Sequence, residues 1–239
     1  MRPRAVGAAA PLMVLLATTA CSGLSGNPAE AVTLELRLPT SLQVERSDTI
    51  RLSARALNQD GDSVAATIRW RTPDTTIAVD SASGRLAGLL QGATGRVQAR
   101  SGSLISDILT FAVIPRADTL AITGVDTLRV LSGVTASGPL LAQLRSNDTT
   151  AGLGGRRLLY SITEPVFPDP AARTVELTGG GLTFSAGTLD DGTPDSVMVI
   201  SRVGPANPDS AIVTVSAMHL SGLPVAGTGQ RFVIRFDHP

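Results

Sequence analysis

Lysine is absent from this 239-residue chain, cysteine occurs once, histidine twice, and tryptophan and tyrosine once each. Each scarcity closes off a class of function. With Cys21 alone there is no intrachain disulfide, and no Cys/His set has the spacing of a zinc site. With His219 and His238 as the only imidazoles and no G-x-S-x-G elbow, the serine-hydrolase pattern is missing as well. No catalytic residue, no metal ligand and no cofactor is assigned, and the chain is read as no enzyme. Basic and acidic residues number 20 each, for a formal net charge of zero. That balance predicts no nucleic-acid partner, because a basic footprint is what a phosphate backbone requires. Aromatic residues make up 3 %, which argues against a sugar-binding platform of stacked rings. What the chain does have is a 43 % apolar content against 17 % charged residues, enough hydrophobic material for packed cores.

The first twenty residues read as an export signal. Arg2 and Arg4 supply a positive start, the run from Ala5 to Ala20 is apolar except for Thr18 and Thr19, and small residues lead to Cys21. The run is short for a spanning helix and is interrupted by Pro11. Thr18-Thr19-Ala20-Cys21 resembles a bacterial lipobox, in which cleavage precedes a cysteine that carries lipid, although Thr18 stands where an aliphatic residue is usual. The competing reading is an ordinary signal peptide with an incidental cysteine. A lone thiol in an exported chain has no disulfide partner, and this favours lipidation of Cys21. Ser22 in place of Asp favours, by resemblance to sorted lipoproteins, the outer membrane. Residues 21–31 then form a short flexible tether.

From Val32 onward the dominant period is two. Val32, Leu34, Leu36 and Leu38 alternate with polar residues, as do Ile50, Leu52, Ala54 and Ala56, then Ala66, Ile68 and Trp70, then Leu109, Phe111 and Val113. Turn signals such as Asp60-Gly61 and Ser83-Gly84 separate these runs. No window of helical length carries a 3.6 period, so the fold class is all-β, a pair of sandwiches. A boundary near 116 divides residues 32–115 from 116–239. In the second part Leu128, Leu158, Tyr160, Ile162, Val197, Val213, Val215, Phe232 and Ile234 are the inward positions. Residues 146–155 and 164–172 read as surface loops.

Residues 32–114 resemble a bacterial immunoglobulin-like group 2 domain. The carriers are Asp48 to Ala54, Asp60-Gly61, Trp70, Asp74 to Asp80, Gly84 to Gly88 and Gly92-Ala93-Thr94. Physical chemistry agrees: Trp70 suits the space between two sheets, and Gly84, Gly88 and Gly92 permit turns that a side chain resists. The segment Ile77 to Asp80 is one residue shorter than the usual run, which puts its register in question. Residues 118–237 more weakly resemble the invasin-like group 1 domains, through Arg156 to Thr163, Thr188 to Gly192 and Ala211 to Ala217. Both resemblances imply immunoglobulin-like β-sandwiches that serve as spacers, adhesive surfaces or accessory domains.

The remaining polar residues have ordinary explanations. Asn58, Asp60 and Asp62, like Asp190, Asp191 and Asp195, could offer oxygens to calcium, but β-turns favour these residues for backbone reasons alone. Gly152, Gly154 and Gly155 are loop residues rather than a phosphate cradle. His219, at a strand end, is expected at the surface or half-buried. Arg51, Arg55, Arg69 and Arg71 could meet an anionic partner, though exposed arginines more often keep a sheet face solvated. The expectation is therefore a non-enzymatic structural or adhesive module of the cell envelope, lipid-anchored, with a protein or surface polysaccharide as partner. The alternative is an accessory subunit of an envelope complex, touching a protein partner through the loops of the second domain.

Overall fold

The computed structural model describes residues 30–148, 153–167, 169–201 and 208–237. The export signal, Cys21, most of the tether and His238 lie outside them. Among the described residues, strands follow one another with a single short 3-10 turn, Pro170–Ala172, between them, and the protein is all-β. Buried apolar residues gather in two clusters, one drawn from Leu34 to Val113 and the other from Ala117 to Phe236.

In the N-terminal half, Thr33–Arg37 pairs antiparallel with Ser53–Leu57, while Thr49–Arg51 pairs with Arg85–Gly88 and that strand with Ile77–Val79. Thr49–Arg51 and Ser53–Leu57 are two parts of one run, parted at Leu52, whose amide donates to the Gly84 carbonyl at 2.9 Å. The facing sheet has Arg69–Arg71 and Leu109–Ile114 on either side of Thr94–Ser101. Gln43–Glu45 then runs parallel to Leu109–Ile114. This partnership is that of an immunoglobulin-like sandwich, in which two sheets bury their alternate residues against each other.

The C-terminal half repeats it with longer strands. Its larger sheet is ordered Thr127–Val130, Gln230–Phe236, Ser210–Ala217, Arg157–Glu164, Thr183–Gly187. The first pair is again parallel. The facing sheet carries Thr119–Ile122 on Ala142–Arg145 and Val175–Leu177 on Val199–Ser201, joined by the Leu140 amide donating to the Val197 carbonyl. Tyr160 sits at the centre of this core, 6.4 Å between ring centroids from Phe232, with its hydroxyl donating to the Leu140 carbonyl at 3.2 Å. Burial pushes that phenol's pKa up.

Two expectations change on inspection of the N-terminal half. The strand expected over Ala66, Ile68 and Trp70 is confined to Arg69–Arg71, and Ala66 is exposed. Trp70 nevertheless lies in the core at 6 % exposure. Gly84 makes room for it, since a Cβ there would stand 2.7 Å from the indole Nε1. Gly88, expected as a turn, lies inside the strand Arg85–Gly88, and its missing side chain serves a close approach: a Cβ would come within 2.7 Å of the Glu45 carbonyl oxygen. The shortened segment at Ile77 keeps regular register, Ile77 opposite Gly88 and Val79 opposite Leu86. One exposed ion pair fastens a loop to this half. The Asp74 carboxylate accepts from the Arg96 guanidinium at 2.9 and 3.0 Å and from its amide at 2.7 Å.

Truncating Trp70 to alanine should cost about 3–5 kcal/mol; chemical denaturation followed by far-UV circular dichroism measures it, and acrylamide quenching of the intact protein should be slow. The Arg96 hydrogen bonds hold the Asp74 carboxyl at about 2, below its ordinary 3.8. A depressed folded-state pKa means that the contact stabilises fully above the ordinary value and is lost as pH falls through about 2. An NMR titration of the Asp74 carboxyl should therefore show its midpoint there, and Arg96→Gln should return it toward 3.8.

Candidate functional site

The chemistry of the protein concentrates where the two sandwiches meet. Pairing continues to the end of the N-terminal one, with the Arg46 amide donating to the Ile114 carbonyl at 2.9 Å, and only residues 115–118 separate that strand from the next. In the strand Gln43–Glu45, alternation turns Val44 into the N-terminal core, so Glu45 must point out of its own sandwich. It is nonetheless 1 % exposed, because the C-terminal half covers it.

An arginine and a histidine from that half meet it there. Arg156, 9 % exposed, places Nη1 at 2.8 Å from Glu45 Oε1 and donates through Nη2 to the Pro115 carbonyl of the connection. Its backbone is held by Thr188, whose hydroxyl accepts from the Arg156 amide at 2.9 Å and donates to the Leu153 carbonyl at 2.5 Å. Desolvation lowers the Arg156 pKa and the Glu45 charge opposes that, yet a guanidinium stays protonated in either case. His219, 7 % exposed, lies at 2.5 Å from the other carboxylate oxygen through Nδ1. A turn closed by the His219 amide on the Leu223 carbonyl aims it. The expectation of a surface or half-buried His219 is corrected: the strand end is covered by the other sandwich, which a sequence period cannot register.

Asp48 completes the cluster. Its Oδ1 accepts from the Thr49 amide at 2.7 Å, while Oδ2 is buried with no hydrogen-bond partner. Glu45, Asp48 and His219 present ligand atoms within 4.8 Å of one another, the geometry a metal ion would need. The Arg156 guanidinium already stands on one side of this cluster, 2.8 Å from Glu45 Oε1. The arrangement is an ionic latch between the halves. Among the described residues no serine hydroxyl bonds to His219, whose Nδ1 meets Glu45.

The aspartate turns do what their backbones require. Asn58 Oδ1 accepts from the amides of Asp60 and Asp62 at 3.0 and 2.8 Å. Asp191 Oδ1 accepts from the Thr193 amide at 2.9 Å. Beside the latch open two clefts, of about 520 and 690 Å³, which share Thr40, Ser41, Gln43 and Leu220 on their walls. Glu45 and Arg156 were not singled out from sequence. Their only signal was an acidic residue at the end of a short apolar strand, and its partner His219 is 174 residues away.

No protein-family model matches this chain, and no curated protein is similar to it in sequence. Among solved structures it is similar to the Yersinia pseudotuberculosis adhesin InvE, at 16 % identity and a TM-score of 0.39, over 89 % of this chain and 62 % of that one. This chain thus spans less than two thirds of the adhesin's length. It is also similar to fibronectin(III)-like modules of Clostridium thermocellum CbhA, at 13 % identity and a TM-score of 0.42, over 87 % and 98 % of the respective chains. A third likeness is to the D00-D0 domain of intimin, at 16 % identity and a TM-score of 0.30, over 86 % and 100 %.

Replacing Glu45 with alanine should destabilise the protein by about 3–5 kcal/mol, because it strands the Arg156 guanidinium in a buried site. Denaturant unfolding read by Trp70 fluorescence measures the loss, and a change under about 1 kcal/mol, the size of an exposed pair, would show that the latch contributes no more than a surface contact.

Proposed function

We propose that the chain is a non-catalytic cell-envelope lipoprotein, in which residues 32–115 and 116–239 are two tandem immunoglobulin-like domains acting as a stiff structural or adhesive module. In this reading residues 1–20 are removed on export, and Cys21 carries the lipid that holds the protein at a membrane, the outer membrane where the cell has one. The observation that carries it is the Glu45 latch. A spacer must transmit orientation from anchor to tip, and a buried charge bridged to both an arginine and a histidine of the second half fixes the angle between the halves where a polar linker would leave it free. The sequence carriers of the group 2 resemblance support the same reading for the first domain, since Trp70 and Gly84 meet in its core. The second domain is assigned more loosely to the group 1 type.

One observation favours the accessory-subunit alternative. Leu159 and Met218 are 44 % and 68 % exposed on the wall of the larger cleft, where the second domain would offer a partner protein an apolar contact.

Replacing Cys21 with serine should move the protein from the membrane to the soluble fraction, and mass spectrometry of the native protein should find acyl chains on Cys21. An unmodified thiol there would end the lipoprotein reading. NMR relaxation of the protein should report one common tumbling time for both halves, and separate tumbling would end the reading as a stiff spacer.

A further inference from the structure

The smaller of the two clefts beside the latch, about 520 Å³, is lined by two arginines and several hydroxyl side chains. Arg51 and Arg85 both line it and stand directly opposite each other on adjacent antiparallel strands. Like charges in that position repel. Yet no carboxylate lies within ion-pair reach of either among the described residues, and no acidic residue lines the cleft at all. The nearby Asp80 holds its Oδ1 in its own loop, accepting from the amides of Ala82 and Ser83 and from the Ser83 hydroxyl, and acts on Arg85 only from beyond ion-pair distance. Arg55 and Arg96 of the same half instead have direct carboxylate partners in Glu35 and Asp74. The cleft therefore keeps two guanidiniums side by side with no carboxylate in contact with either.

The remaining walls combine hydroxyls, the Gln43 amide and the apolar side chains of Pro39, Ile50 and Leu220. Thr40, Ser41, Thr49 and Ser83 come from the first half, and Ser221 reaches in from the second beside Leu220. The Thr49 hydroxyl already accepts from Arg85 Nη2 at 3.3 Å, which steadies that guanidinium in the cleft. The Ser221 hydroxyl oxygen is buried with no hydrogen-bond partner. Such a lining matches a ligand that is both anionic and rich in hydroxyl groups. No aromatic residue lines it for a base to stack on, which disfavours nucleotides, and its apolar side chains, Pro39, Ile50 and Leu220, are divided between the two halves and form no continuous channel for an acyl chain. The volume falls in the range of small-ligand sites, roughly 300–1,000 Å³.

We infer that this cleft binds an acidic glycan, a sugar chain whose carboxylate or phosphate groups bridge Arg51 and Arg85 while its hydroxyls meet Thr40, Ser41 and Ser83. The scarcity of aromatics, which excludes a stacked sugar platform, leaves charge and hydrogen bonding as the means of recognition. The inference gives the adhesive reading a ligand and rests on that reading for its setting. Because both halves supply the walls, binding also requires the latch to hold them in place.

Isothermal titration of the full chain in detergent with oligogalacturonate, a carboxylated glycan, tests it. Saturable binding is expected that weakens with added salt, falls about tenfold or more in Arg51→Gln and in Arg85→Gln, and is unchanged in Arg71→Gln on the opposite sheet. Far-UV circular dichroism and Trp70 fluorescence confirm that each variant is folded. Neutral galacto-oligosaccharides should bind at least about tenfold more weakly, as should glycerol 3-phosphate, which stands for a lipid headgroup, and a phosphoserine peptide. No saturable binding of the acidic glycan, equal binding by the folded arginine variants, or tighter binding of a neutral sugar, glycerol 3-phosphate or phosphopeptide would each overturn the inference. None of these outcomes depends on where the protein resides, so failure here is distinguishable from failure of the Cys21 anchoring test.

Discussion

Glu45 is a buried acidic side chain, and the relation between the two halves follows from how its carboxyl group is met. A carboxyl group taken out of water needs polar partners. One oxygen faces Arg156 and the other His219, and both partners belong to the opposite sandwich. The same guanidinium also reaches the Pro115 carbonyl, which ties the connection itself into the contact. Rotating one half against the other would separate all of these at once. A hydrophobic contact of similar size tolerates sliding; this one has a narrower geometry, because Arg156 must reach both Glu45 and the Pro115 carbonyl while His219 meets the other carboxyl oxygen.

That constraint creates the clefts on its flanks. Two sandwich ends held together at the latch, with Arg46 and Asp148 3.9 Å apart as a further contact, leave grooves beside it, and the residues that face those grooves acquire a fixed partner across the gap. Leu220 and Ser221 follow His219 directly, so the turn that supplies the latch also supplies the wall. Stability and recognition are thus served by one short segment of chain.

Much of the fold was legible as alternation. Leu158, Tyr160, Ile162, Val213, Val215, Phe232 and Ile234 are inward in the period and buried in the structure, because two-residue periodicity records which face of a strand meets a core. It was less reliable where strands are short: Ala66 keeps the phase of Trp70 and lies outside any strand, and Val32 and Leu38 keep the phase of Leu34 and are exposed. The motif glycines were recognisable, but not the reason for Gly88, which answers to the backbone of Glu45 in a neighbouring strand. The latch itself was invisible. A contact between residues 174 apart leaves no local trace, and Glu45, Arg156 and His219 are each, taken alone, unremarkable polar residues at strand ends.

In each half a strand near the beginning runs parallel to the last one, Gln43–Glu45 beside Leu109–Ile114 and Thr127–Val130 beside Gln230–Phe236. Tension applied between the two ends of such a half pulls these neighbours in opposite directions along their length. Their hydrogen bonds, such as Ala112 amide to Leu42 carbonyl and Arg46 amide to Ile114 carbonyl, lie across that direction and are loaded together in shear, not opened one after another as at the end of a hairpin. Each half is accordingly fastened so that a mechanical load is shared by the whole seam, and the seam of the first half ends at the residue that forms the latch.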